Sequence, residues 1–286
     1  MHFIWVALLS LQAFASSDLT TVAERSGWKK TGRFDETQRL CREFAKTHPS
    51  AARCTEFGKT PEGRPMVALV VSQDGAFDPE SARRRGKQVV LIQGGIHAGE
   101  IDGKDAGFWA LREMLAGKLA PGVFKNVTLV FVPVFNIDGH ERTGAHNRPN
   151  QVGPEEMGWR TTARNFNLNR DYVKADAPEM EAMLRLLGRW DPILYADLHV
   201  TDGAEFQHDI AVMVDPAMPG SGAPEKLRSE GKKLQDTLLS RLKEAGSLPL
   251  PYYPSFIEED DPQSGVDASP GPLRFSHYYW GARGRI

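Results

Sequence analysis

Cysteine is nearly absent, with two in 286 residues, Cys41 and Cys54. Two are too few for a cysteine-rich zinc site. They leave two readings open, one disulfide closing a short loop or a pair of quiet thiols. Charge of one sign is not in excess either. The formal net charge of −2 gives no footing for nucleic acid or an acidic membrane as partner. The one basic cluster, "RRRGK" at Arg83 to Lys87, reads as a solvated turn. Beyond the N-terminus no stretch approaches the ~20 apolar residues that a membrane span needs. Also missing are the G-x-S-x-G elbow, the G-x-x-x-x-G-K phosphate loop and the dinucleotide fingerprint, which weighs against the enzyme classes built on them.

What is present is ordinary for a globular chain, 41% hydrophobic and 25% charged residues. The opening "MHFIWVALLSLQAFASS" stands apart. Its apolar stretch is too short to span a bilayer, and Ala13-Phe14-Ala15 has the A-x-A form of a cleavage site. Residues 1–15 are read as a secretory signal, which makes the protein secreted or periplasmic, and the folded domain is expected over residues 30–286.

Element by element, "DETQRLCREFA" from Asp35 has the periodicity of an amphipathic helix, and "MVALVVS" from Met66 that of a buried strand. "QVVLIQG" predicts a second strand, "DGKDAGFWALREMLAG" a helix, and "VTLVFVPVF" from Val127 to Phe135 a third strand. A polar connection runs from Asn136 to about Asp171, longer than an ordinary loop, and such loops usually carry function. A helix over Ala177 to Trp190 follows, then strands in "ILYADLH" and "IAVMV", and a charged helix from about Pro224 to Ala245. From Ser247 on, the chain is rich in Pro, Gly and Asp and is read as irregular. Strands alternating with helices predict one α/β domain, its sheet covered on both faces.

In such sheets ligands bind beyond the carboxyl ends of strands. His97 and Glu100, in "GGIHAGEIDG", follow one strand at that end, and His199 ends "ILYADLH". Two imidazoles and a carboxylate, with a fourth position open to water, form the ligand set of a catalytic zinc site. The connection adds "GWRTTARNFNLNRDY", with Arg160, Arg164 and Arg170 among asparagines and aromatic residues. Arginine grips a carboxylate with two parallel hydrogen bonds and can stabilise a developing oxyanion.

The ordered set "HAGE", "NIDG", "GWR", "NLNRD" and "DLH" resembles the zinc metallocarboxypeptidases of the carboxypeptidase A type, from about Cys41 to the C-terminus. The resemblance implies a mixed, mostly parallel twisted sheet. It implies zinc held by His97, Glu100 and His199, Arg160 polarising the scissile carbonyl, and Asn169 with Arg170 binding a peptide's terminal carboxylate. Asn167 falls where many relatives have an aspartate orienting the first histidine. The implied activity is release of C-terminal amino acids from peptides. A zinc amidase or deacylase acting on N-acyl amino acids or cell-wall peptides would use the same ligands.

The family's general base is a glutamate on a late strand. Here "RFSHYYWGARGRI" resembles the segment leading into that strand, and Ile286 follows. The expectation is a chain that stops short of the base and its strand, which keeps open an inactive module that binds zinc or peptide. Glu258 to Asp261 read as a solvated loop, and Tyr252 or Tyr253 are candidates for a tyrosine that contacts substrate.

Overall fold

A computed structural model describes residues 18–149, 151–200, 207–217, 221–251, 255–258, 261–267 and 271–286. The expected signal segment, Tyr252, Tyr253, Glu259 and Asp260 lie outside these. In chain order the elements are α1 (Val22–Arg25), α2 (Phe34–Thr47), β1 (Ala52–Lys59), β2 (Pro65–Val71), α3 (Pro79–Arg84) and β3 (Gln88–Gly94). There follow α4 (Asp102–Leu115), β4 (Val127–Val132), α5 (Ile137–Glu141), α6 (Pro178–Trp190) and β5 (Leu194–Leu198). The remainder holds β6 (Ile210–Val212), α7 (Glu225–Glu244), β7 (Pro249–Pro251), β8 (Ser255–Glu258), β9 (Asp261–Asp267) and α8 (Ser276–Gly281).

Successive side chains on a strand point to opposite faces, and β2 is apolar on both. Met66, Ala68 and Val70 enter one core with Met180, Met183 and Leu187 of α6 and Trp280 of α8. Val67, Leu69 and Val71 enter the other with Leu40 and Phe44 of α2 and Phe108 and Leu111 of α4. Helices therefore cover both faces, as the alternation of elements predicts. The main sheet has the order β1-β2-β4-β3-β5. The β1–β2 and β2–β4 pairs are antiparallel, and β3 is parallel to both β4 and β5.

Differences from the sequence reading have local causes. β1, "ARCTEFGK", is too polar to read as a strand, but it covers the outer edge of β2 and carries Cys54, which is bridged to Cys41 of α2. β4 ends at Val132, short of the expected Phe135, because Pro133 has no N–H to continue the ladder. The "IAVMV" strand does not join the main sheet; β6 pairs with β7 in a sheet of two. Packed structure also begins before residue 30. Leu19 is buried, and Glu24 of α1 accepts two bonds from Arg112 of α4, at 2.9 and 2.6 Å.

The two ends of the stretch expected to be a solvated loop belong to strands. Glu258 and Asp261 are register partners of β8 and β9, both exposed. Ile286 lies beside β5. Its N–H donates to the Ile193 carbonyl at 3.2 Å, and its own carbonyl accepts from Tyr195 N at 2.7 Å.

Candidate metal centre

The carboxyl ends of β3 and β5 lie side by side, because Gln93 pairs with Asp197 and Gly94 with Leu198 in the parallel ladder. The chain leaves β3 through Gly95, whose φ of +61° is one that a residue with a Cβ rarely adopts. A turn closed by Glu100 N–H on the His97 carbonyl, at 2.9 Å, then brings the two side chains of "HAGE" to one side. α4 begins two residues later. His199 stands one residue past the end of β5.

His97, Glu100 and His199 meet, with one ligand atom from each lying within 4.8 Å of the others. His97 Nδ1 is 2.9 Å from Glu100 Oε1, and His199 Nδ1 is 2.9 Å from Glu100 Oε2. The opposite ring nitrogens face away from the centre and have their own acceptors. His97 Nε2 lies 3.2 Å from Asn167 Oδ1, and His199 Nε2 lies 3.0 Å from Asp197 Oδ2. A histidine whose outer nitrogen donates to an oxygen keeps its inner nitrogen as a lone-pair donor, the arrangement metal ligands adopt. The donor set and the facing Nδ1 atoms fit a zinc ion.

Glu100 is buried, and burial alone would raise its carboxyl pKa. His199 and His97 more than reverse that and hold it far below the usual carboxylate range. His199 shows the converse. Burial lowers its pKa, but the carboxylates of Asp197 and Glu100 outweigh this and push it up to about 10. Asp197 sits below the usual range, its burial offset by His199.

The long connection is ordered around this cluster. Asn136 of "NIDG" caps α5 by accepting from Gly139 N at 3.1 Å, and its amide donates to the Arg160 carbonyl at the same distance. Arg160 Nη1 reaches to 3.5 Å from Glu100 Oε1, its side chain 30% exposed. Asn167 Oδ1, besides facing His97, accepts from Asn169 N at 3.0 Å, which fixes the turn carrying Asn169 and Arg170. The Asn169 amide lies 3.5 Å from His199 Nε2. Arg170 is exposed beside it, its guanidinium 4.3 Å over the Phe275 ring.

His97, Glu100 and His199 thus form one cluster, and Arg160, Asn167 and Asn169 each reach one of the three. Arg170 follows Asn169, whereas Arg164 is exposed and its charge acts on Glu179. Arg148 was not foreseen. Its Nη2 donates to Glu100 Oε1 at 2.9 Å from a buried position. Nothing in "HNRPNQ" separates this arginine from others in a polar connection.

Two histidines and a glutamate at adjoining strand ends form a donor set that could hold a metal ion. A sequence profile of the zinc carboxypeptidases matches residues 37–207, and the chain belongs to that family. The inactive metallocarboxypeptidase ECM14 of Saccharomyces cerevisiae is 33% identical over 107 residues, 36% of this chain and 24% of that protein. Carboxypeptidase 2 of Trichophyton rubrum is 24% identical over 190 residues, 65% of this chain and 32% of that one. The chain spans no more than about a third of these two relatives. A metallo-carboxypeptidase structure from Burkholderia cenocepacia superposes with a TM-score of 0.57 at 21% identity, covering 87% of this chain and 57% of that one. That likeness concerns the fold alone.

Proposed function

We propose that the chain is the zinc-binding domain of a peptidase that releases C-terminal amino acids from peptides, with His97, Glu100 and His199 as the metal ligands. The observation that carries this is the convergence of both Nδ1 atoms on Glu100, with the Asn169 amide 3.5 Å from His199. Zinc bound there supplies Lewis acidity toward a carbonyl oxygen and toward water. Asn167 and Asp197 hold the two imidazoles in orientation through their outer nitrogens. Asn169 and Arg170 bind the terminal carboxylate, the amide as a single donor and the guanidinium as a fork. The Phe275 ring supports that guanidinium from below. Arg160, half-buried within reach of Glu100, stabilises the negative charge that develops on the scissile carbonyl oxygen.

The domain occupies residues 30–286 with α1 packed against it, and residues 1–15 are a leader for export. The Cys41–Cys54 disulfide supports an oxidising compartment, outside the cell or in a periplasm. No helix among the described residues is long and apolar enough to cross a membrane.

A second reading has one observation in its favour. The most identical stretch quoted above belongs to an inactive metallocarboxypeptidase, so a module that binds zinc and peptide without cleaving is the alternative. The test is turnover of a chromogenic peptide with a free C-terminus, against the same peptide amidated, with zinc present and with it chelated. Zinc-dependent cleavage confined to the free acid is the outcome that supports the peptidase. Equal cleavage of both would point to an endopeptidase or amidase. Carboxylate-selective binding without cleavage would establish the inactive module.

A further inference from the structure

We propose that Arg148 is a positioning residue for the metal site, holding Oε1 of Glu100 so that Oε2 is kept toward His199. This rests on the metal-site reading above and adds to it a residue that no sequence motif marks.

Two guanidiniums approach the same Glu100 oxygen, and they are not equivalent. Arg148 donates at 2.9 Å with a side chain only 5% exposed, whereas Arg160 stands at 3.5 Å and is 30% exposed. The buried one is fixed by its surroundings. Its carbonyl accepts from Gln151 N at 3.0 Å. Its aliphatic stem passes over Gly99, where a Cβ would come within 2.8 Å of Arg148 Cγ and 2.9 Å of the Gly158 carbonyl. The glycine of "HAGE" thus leaves the space through which Arg148 reaches the ligand. The other oxygen, Oε2, faces His199 Nδ1 at 2.9 Å and accepts from Val200 N at 3.2 Å. With Oε1 held by a buried guanidinium, the carboxylate cannot rotate freely, and the outer arginine is left to meet substrate.

Orientation and charge act in opposite directions here. A guanidinium near the site repels a dication, while the bond it makes holds the ligand in place. Variants that delete the charge would mix the two effects, so the informative ones keep the charge and lose the geometry. Arg148→Lys retains the charge but not the planar fork. Gly99→Ala leaves every charged group present and crowds the arginine stem.

The experiment measures zinc affinity by competition with a chromophoric chelator, and the visible absorption of the Co²⁺-loaded protein, for the full chain and each variant that keeps the parent's circular dichroism. Arg112→Lys serves as control, since Arg112 is paired with Glu24 away from the site. Zinc affinity is expected to fall roughly ten- to a hundredfold in Arg148→Lys or Gly99→Ala, the usual cost of loosening a ligand's supporting bond. The cobalt spectrum should change with it, and neither should move in the control. Parent-like affinity and spectrum in the folded variants would overturn the inference and leave the zinc site standing. The same fall in the control would assign the effect to general stability and overturn it equally. A parent that binds no zinc would overturn the metal-site reading and this inference together.

Discussion

Gly94 and Leu198 are the last partners in the parallel ladder between β3 and β5. That one register pair sets the spacing of the centre, since His97 lies three residues past Gly94 and His199 one past Leu198. A third residue locks the arrangement. A Cβ on Gly103, in the first turn of α4, would fall 2.6 Å from Leu198 Cβ.

Gly103→Ala is therefore expected to force α4 away from β5 and to destabilise the fold by about 1–3 kcal/mol, the usual range for overpacking. Urea unfolding of parent and variant measures it. A variant as stable as the parent would mean that α4 can shift without cost.

His199→Ala should lower bound zinc from one equivalent per chain to well below one after dialysis against a weak chelator. Metal analysis of both proteins reads this directly. Removing His199 also takes one partner from Glu100 and one from Asp197, so the loss should exceed that of a surface histidine such as His146. Undiminished stoichiometry would count against the ligand assignment.

Replacing Cys41 and Cys54 together by serine opens a loop whose ends are 13 residues apart. In the chain-entropy account a loop of about this length is worth about 3 kcal/mol. Cys41 is fully buried, so a hydroxyl there adds a desolvation cost. Denaturant midpoints of the double variant and of the reduced parent should both fall, with the variant at least as low.

Asp215 gives a pH prediction. It is buried against Gly281 of α8, and burial raises its carboxyl from an ordinary value near 3.8 to about 6. A carboxyl raised on folding favours the folded state while protonated. That contribution is complete below about pH 4 and is lost as pH rises through 6. Asp215→Asn should thus be more stable than the parent at pH 8 by on the order of 1–3 kcal/mol, with the gain gone by pH 4. Thermal melts at the two pH values decide it, and a pH-independent difference would exclude the mechanism.

Local pattern carried much of this protein into view. β2 and β3 are apolar runs bounded by turn residues, α2, α4 and α6 have helical periodicity, and each forms close to its expected limits. His97 and Glu100 were legible because a turn after a strand end is a local event, three residues long. His199 was legible as a strand-end residue, but its place beside them depends on β5 pairing with β3 across about a hundred residues of chain. β1 lay below the reach of pattern, since its burial comes from β2, α2 and α6 and not from its own composition. Arg148 shows the limit most plainly. An arginine's charge is fixed by its type, but whether it rests in solvent or against Glu100 depends on a space above Gly99 that exists only when the connection carrying Arg148 and Gly158 packs against the turn after β3.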